Sequence, residues 1–173
     1  MTVSLAPPDA LVSDFRHAMR RMAATVTLVS TSDAEGQGFG MVATSVTSVT
    51  MEPPTLLVCV SRTAHVHAPL MARGRMCVNV LQEDQAAVLQ AFSGAVPHQE
   101  RFAGGEWGTH PDLDVPYLPQ SQALFFCDIE QVLEVGTHSV VLARVLEARA
   151  MESVRPMVYV DGRVGQLAAK GGA

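Results

Sequence analysis

Residues 40–62, GMVATSVTSVTMEPPTLLVCVSR, contain two β-strand patterns that are separated by Pro53-Pro54. Before the prolines, hydroxyl side chains alternate with small aliphatic ones, and β-branched residues of this kind suit a pleated surface. After the prolines, residues 55–60 are so uniformly apolar that neither face of that strand is expected to meet water. Because proline cannot donate to a central ladder, this stretch predicts two strands that are joined at Pro53-Pro54.

Similar patterns on both sides of this stretch predict further strands and a few short helices. Further strands are predicted at residues 25–30, 38–50, 75–80, 124–135, 138–148 and 157–160. Turn residues at 33–36 and 136–137 connect neighbouring strands as hairpins. Helices are predicted at residues 9–22, 64–72 and 83–92.

Six or seven strands with no regular βαβ alternation predict a mainly β fold with short helices, in which an antiparallel sheet closes into a barrel. Closure hides the edges that such apolar strands would otherwise expose. A β-sandwich is the alternative that the sequence leaves open. We expect one domain over residues 1–173, with a loose leader at 1–8 and a flexible tail at 168–173.

Residues 93–122 have the least regular pattern. They contain four of the ten prolines and the paired Gly104-Gly105. We therefore expect a long loop with little regular structure, and long loops in compact domains are usually functional.

Composition limits the classes of partner. The chain has 12 basic and 17 acidic residues, a formal net charge of −5, and no basic run, so neither nucleic acid nor an anionic membrane surface is an expected partner. The longest aliphatic stretch, residues 56–60, is far shorter than the roughly 20 residues that span a bilayer. With no secretory signal at the N-terminus, we expect a soluble, cytoplasmic protein.

The three cysteines are Cys59, Cys77 and Cys127. They show no CxxC spacing, and each lies within an apolar run. This pattern is typical of reduced cysteines in a protein core, so we interpret them as core residues and not as a redox site.

Residues 41–50 carry five hydroxyl side chains in ten positions. One interpretation is only that Thr and Val suit a strand. The other is that hydroxyls and backbone amides face the polar edge of a flat ligand, with Gly38 and Gly40 allowing close approach.

Arg62 follows an apolar strand and precedes a predicted helix, so it is either a solvated arginine or a phosphate-binding one. His65 and His67 have no companion Cys, His or Asp cluster, and we predict no metal site. His138 follows a turn and is either a structural hydrogen-bonding residue or a functional one. No nucleophile elbow, P-loop or GxGxxG motif follows a strand.

Taken together and in order, six stretches resemble the flavin reductase family, and in particular the short-chain reductase components of two-component flavin monooxygenases. They are FRHAMRRMAATVTLVST (15–31), GMVATSVTSVTMEPPTLLVCVSR (40–62), MCVNVL (76–81), ERFAGGEWGTHPDL (100–113), GTHSVVLARV (136–145) and PMVYVDGRVGQL (156–167).

The resemblance implies an FMN-binding split β-barrel that is antiparallel and Greek-key-like. It also implies a homodimer with flavin near the subunit interface. The implied activity is reduction of FMN or FAD by NADH or NADPH, with reduced flavin supplied to a partner flavin-dependent monooxygenase. Two alternatives are a flavin-binding protein without catalysis and a related split-barrel oxidase acting on pyridoxine phosphate.

The resemblance also implies roles for individual residues. The flavin ring is expected to contact Met41, Val42, Ala43, Thr44, Ser45, Val46 and Thr47. The flavin phosphate is expected to contact Ser61, Arg62, Thr63, Ala64, His65 and His67. A loop over the flavin or nicotinamide is expected to include Ser93, Arg101 and Phe102. His138 is expected on the nicotinamide side, as an orienting or electrostatic residue held against the barrel mouth. Ala64 and Val66 stand near positions where the family often has hydroxyl residues, and Val164 where an aromatic is frequent.

Overall fold

A computed structural model describes residues 8–167. The predicted tail and all but the last residue of the predicted leader lie outside that range. The helices are α1 Asp9–Met19, α2 His67–Arg73 and α3 Ala86–Gln90, with a π-helical turn at Ala91–Ala95 and a 3-10 turn at His98–Glu100. The strands are β1 Ala24–Thr25, β2 Thr27–Ser32, β3 Gly38–Ala43, β4 Val46–Met51, β5 Pro54–Ser61, β6 Arg75–Val80, β7 Gly108–Thr109, β8 Pro116–Tyr117, β9 Ala123–Val135, β10 His138–Ala150, β11 Val158–Val160 and β12 Arg163–Gly165.

Seven strands form an antiparallel sheet in the order β3-β2-β6-β9-β10-β5-β4. Its two edge strands, β3 and β4, follow each other in the chain and are separated by only Thr44 and Ser45. Ser45 bridges to β5, because its carbonyl accepts from the Cys59 amide at 3.4 Å and its hydroxyl donates to the Cys59 carbonyl at 3.2 Å. Side chains of both edge strands, Ala43 and Val46, pack on the same interior cluster as those of the central strands, so the sheet wraps around one core and the barrel is confirmed over the sandwich.

The break at Thr44-Ser45 corrects the prediction of one strand over residues 38–50. Up to Ala43 the chain pairs with β2, and from Val46 it pairs with β5. A strand that changes its partner must leave the ladder for the residues in between. Thr44 and Ser45 therefore form a break between β3 and β4.

Several other predicted boundaries also need correction. Helix α1 ends at Met19, and α2 begins only at His67, five residues after Arg62. The region 93–122 contains the short hairpin of β7 and β8. Strand β12 was not predicted. Among residues 8–167, no helix has the length and apolar run that crossing a membrane requires.

Strand β5 shows how the barrel is filled. Leu56, Val58 and Val60 are buried in the interior, while Leu57 and Cys59 alternate with them on the half-buried outer face. The prediction that neither face meets water was therefore wrong for the outer face. Inward side chains from β2, β6, β9 and β10 complete the same apolar cluster.

The cysteines are free thiols, and two of the three lie in the core as predicted. Burial raises the pKa of the Cys77 thiol well above its usual range and raises that of Cys127 to about 12. Both thiols therefore stay protonated at neutral pH, and a protonated thiol is a poor nucleophile. Cys59 is only half-buried, because it lies on the outer face of β5.

Residues 91–107, which we call the 91–107 segment, pack on the outer face of β3. The rings of Phe92, Phe102 and Trp107 contact one another with centroids 4.6–5.7 Å apart. A Cβ atom added at Gly40 would come within 2.7 Å of the Phe92 ring. Gly38 and Gly40 thus allow close approach, but to the protein's own aromatic rings.

His110 fixes the second half of the long loop. Its Nδ1 accepts from the backbone amides of Asp112 and Leu113, so its Nε2 donates to Glu147, 3.0 Å away. The hydrogen bonds from His110 and Arg149 lower the pKa of the Glu147 carboxyl. Glu147 is therefore ionised at neutral pH and attaches residues 110–113 to β10.

Candidate functional site

The predicted ring-contacting segment, residues 41–47, divides into three groups. Met41, Ala43 and Val46 pack with the barrel interior, and of these three Val46 also lines the cavity at the break. Val42 packs beneath α3 and the 91–107 segment. The three hydroxyl residues Thr44, Ser45 and Thr47 are exposed. Hydroxyls and backbone amides therefore meet at the break of the split barrel.

A cavity of about 740 Å³ opens beside this break. Thr44, Val46 and Thr47 line one part of it, and Met22 and Ala23, which follow α1, line another. Among residues 8–167, none of those that line the cavity is charged. Its walls combine aliphatic side chains with the hydroxyls of Thr25, Thr27, Thr44, Thr47, Ser48, Thr50 and Thr55. Apolar walls with a few hydrogen-bonding groups suit a flat, uncharged heterocycle.

A second cavity of about 430 Å³ lies on the other side of Thr44. It is lined by Thr44, Ser93, Leu89, Tyr159 and Val164, among others. Thr44 therefore borders both cavities. Tyr159 lies in a stretch that carries the family resemblance, but the sequence assigned it no role, since only the fold brings β11 next to α3.

The loop after β5 holds the predicted phosphate contacts. The hydroxyls of Ser61 and Thr63 lie 3.0 Å apart. The backbone amide of Arg62 donates to the Thr137 carbonyl at 3.0 Å. The Arg62 guanidinium donates from Nη1 to Glu134 Oε2, 2.9 Å away. Because α2 begins five residues later, the expected free amides of a helix start are not at Arg62. A phosphate beside Arg62 would therefore not be bound by the first amides of a helix.

His65 in this loop and His67 at the start of α2 have separate partners. His65 stacks on His98, with ring centroids 4.4 Å apart and an interplanar angle of 11°. His67 Nε2 lies 2.9 Å from the hydroxyl of Ser139. Within residues 8–167, no group of three or more His, Cys, Asp or Glu side chains is arranged to hold a metal ion.

His138 lies directly opposite Ser61 in the ladder of β10 and β5. Its side chain is exposed, and its Nδ1 lies 2.9 Å from the Thr137 hydroxyl. The expectation that the ring is held against the barrel mouth is therefore wrong for this chain. The sheet does bring His138 next to the predicted phosphate contacts, within the roughly 5 Å that separates paired residues.

A row of outward-facing residues connects the segment that is expected to contact the flavin ring with the loop that is expected to contact the flavin phosphate. Ser45 bonds to Cys59, and Ser61 follows two residues later on the same face of β5. Two residues of a strand span about 6.6 Å. A single elongated ligand could therefore contact the break and the loop at Ser61 together.

The three site residues that were predicted in the 91–107 segment lie in different places. Ser93 is exposed and borders the second cavity. Arg101 donates from Nε to the Val96 carbonyl at 3.1 Å and lines a separate cavity of about 230 Å³. Phe102 packs against Phe92 and Trp107. Of the three predicted residues, only Ser93 lies on a cavity that Thr44 shares.

Comparison with known proteins places this geometry in a family. The sequence profile described as Flavin reductase like domain matches residues 19–168. The chain belongs to this family. The matched range includes the split in the barrel, the loop after β5 and His138, and the resemblance inferred from the six stretches is confirmed.

Named relatives cover most of the chain. The reductase component of FADH(2)-dependent resorcinol hydroxylase from Rhizobium sp. (strain MTP-10005) is 42% identical over 157 residues, covering 90% of this chain and 87% of the relative. FMN reductase (NADH) RutF from Variovorax paradoxus (strain S110) is 37% identical, covering 95% and 90%. Among solved structures, the NADH:FAD oxidoreductase SgcE6 of Streptomyces globisporus C-1027, in complex with NAD and FAD fragments, superposes with a TM-score of 0.86 at 26% identity, covering 98% and 100%.

Proposed function

We propose that this chain is a single-domain, NADH-dependent reductase of FMN or FAD that supplies reduced flavin to a partner monooxygenase. The observation that carries the proposal is the meeting of exposed hydroxyls and an uncharged cavity at the split of the barrel, in a chain of the flavin reductase family. Relatives named as an NADH-dependent FMN reductase and as a hydroxylase's reductase component support the donor and the partner.

The residues present fit a flavin. The uncharged cavity beside Thr44 suits the ring, and Arg62 supplies a cation for the phosphate. A bound flavin supplies the redox chemistry by accepting a hydride from the nicotinamide. The Thr44 hydroxyl is exposed and placed to donate a hydrogen bond where negative charge would develop. The Ser45 and Thr47 hydroxyls already donate to the Cys59 and Ser48 carbonyls, at 3.2 and 3.5 Å, and would have to give up those bonds to do the same.

His138 and Ser93 are assigned to the nicotinamide. Ser93 borders the second cavity beside Thr44, and the exposed His138 ring lies across the ladder from Ser61. Both can orient a carboxamide or a phosphate of the dinucleotide by hydrogen bonding. The chain then acts by holding the two ring systems at reacting distance.

Replacing His138 with alanine should raise the KM for NADH about three- to tenfold, since one hydrogen bond to the dinucleotide is lost. FMN affinity and thermal stability should stay unchanged, because the side chain is exposed. The measurement is steady-state kinetics with a melting curve on the same preparation, with His17→Ala as a control at another exposed histidine. A less stable variant with unaltered NADH kinetics would contradict this role.

We also propose a homodimer. Apolar side chains are exposed on β4 and β9, at Val49, Met51, Leu133 and Val135, and exposed apolar patches mark interaction sites. Sedimentation equilibrium or light scattering measures the mass directly.

We place the enzyme in the cytoplasm, where NADH is available.

Oxidation of NADH, followed at its absorbance band with and without FMN, FAD or riboflavin, tests the proposed activity. The expected result is consumption of NADH only when a flavin is present. Protein that binds FMN but leaves NADH unoxidised would instead support a flavin-binding protein without catalysis.

A further inference from the structure

The Arg62 guanidinium is bound to a carboxylate of its own chain. Glu134 lies near the end of β9, and its Oε2 is 2.9 Å from Arg62 Nη1. The pair is open to solvent, with 45% of the Arg62 side chain and 73% of the Glu134 side chain exposed. Within residues 8–167, these two side chains form ion pairs only with each other. The carboxylate therefore occupies the cation that the proposed function assigns to the flavin phosphate.

Two anions near one guanidinium oppose each other. A phosphate monoester carries about −1.5 to −2 charges at neutral pH, and Glu134 adds one negative charge at Arg62. The phosphate must either displace the carboxylate or bind beside it against like-charge repulsion. Both cases lower the affinity for a phosphorylated flavin, whereas riboflavin, which has no phosphate, does not meet this cost.

We propose that Glu134 sets the affinity for flavin by competing with the flavin phosphate for Arg62, so that FMN exchanges as a substrate and is not retained as a fixed group. This inference rests on the proposed function and deepens it. An exchangeable flavin is what delivery to a second protein requires. Glu134 does not touch the reacting ring and is a specificity-determining residue.

The test compares E134Q with E130Q. Glutamine keeps the size and a hydrogen-bond acceptor at Glu134 but removes its charge. Glu130 is a matched control because it lies on the same strand and forms an exposed ion pair with Arg144 at 3.2 Å. Four residues along β9, about 13 Å, separate the two carboxylates, which is more than a Debye length at physiological salt.

Fluorescence titration should show that E134Q binds FMN about three- to tenfold more tightly than the unmodified protein. Its affinity for riboflavin should be unchanged, and E130Q should match the unmodified protein for both flavins. The FMN gain should shrink in 0.5 M salt, roughly three to four times the physiological level, because exposed charges are screened.

An unchanged or weaker FMN affinity in E134Q would overturn the proposal, and weaker binding would show that Glu134 positions Arg62. An equal gain for FMN and riboflavin, or a gain that persists at high salt, would also overturn it. Reduction of FMN and FAD by NADH, measured on the same proteins, distinguishes failure of this inference from failure of the proposed function. If FMN is reduced while E134Q shows no gain in FMN affinity, only this inference fails. If neither FMN nor FAD is reduced, the proposed function fails.

Discussion

Replacing Arg62 with alanine should weaken FMN binding by about ten- to a hundredfold and leave riboflavin binding unchanged. A charge-assisted hydrogen bond is worth about 1.5–3 kcal/mol, and each 1.4 kcal/mol is a factor of ten. Only FMN carries the phosphate that this guanidinium would hold. The loss should exceed the gain in E134Q, since Arg62→Ala removes the attraction itself and Glu134 only opposes it.

The matched control for this prediction is Arg144→Ala. Arg144 lies on β10, is as exposed as Arg62, and likewise pairs with a glutamate of β9. Titration of flavin fluorescence on both variants gives the four affinities that are needed. An equal loss for FMN and riboflavin in Arg62→Ala would place Arg62 away from the phosphate.

Replacing Phe92 with alanine should lower the free energy of unfolding by about 3–4 kcal/mol. The ring is only 5% exposed, packs closely over Gly40, and contacts Phe102 and Trp107. Its removal takes away one of the two ring contacts that attach the 91–107 segment to β3, the other being Phe102 over Gly38. The leucine variant, which keeps most of the apolar volume, should cost about 1–1.5 kcal/mol.

Urea unfolding followed by circular dichroism measures both Phe92 variants against the unmodified protein. The alanine variant should have the lowest midpoint and the leucine variant an intermediate one. Alanine and unmodified proteins with the same midpoint would show that the ring does not contribute to the core.

The strands of the barrel could largely be predicted from the sequence, because uniformly apolar segments such as 55–60 have few other stable arrangements. The break at Thr44-Ser45 could not. Residues on both sides of it have the same β-branched composition, and which neighbour each half pairs with depends on closure of the whole sheet.

The glycines before the break show a similar limit. Gly38 and Gly40 indicated close approach, and that part was right, but the groups that approach are Phe102 and Phe92. Local sequence shows that space is available at a glycine. It does not show which of two distant segments, a ligand or an aromatic loop, fills that space.

At the phosphate end of the candidate site, the sequence could not predict contacts between residues that are distant in the chain. Arg62 was identified as a candidate from its neighbours in the chain, yet its partner Glu134 is 72 positions away. His138 was identified from a turn and a resemblance, and its place opposite Ser61 follows from the register of two strands. One sequence without the fold carries no information on such pairs.

The proposed reaction is direct transfer of hydride from NADH to flavin, and an anaerobic single-turnover experiment measures this transfer. Protein, FMN and NADH are mixed rapidly, and the loss of oxidised flavin absorbance is compared with a protein-free mixture and with NADH deuterated at the transferred position. We predict loss of absorbance much faster than without protein, and slower with deuterium. Absorbance that falls no faster with the protein than without it would show that the protein does not catalyse this transfer.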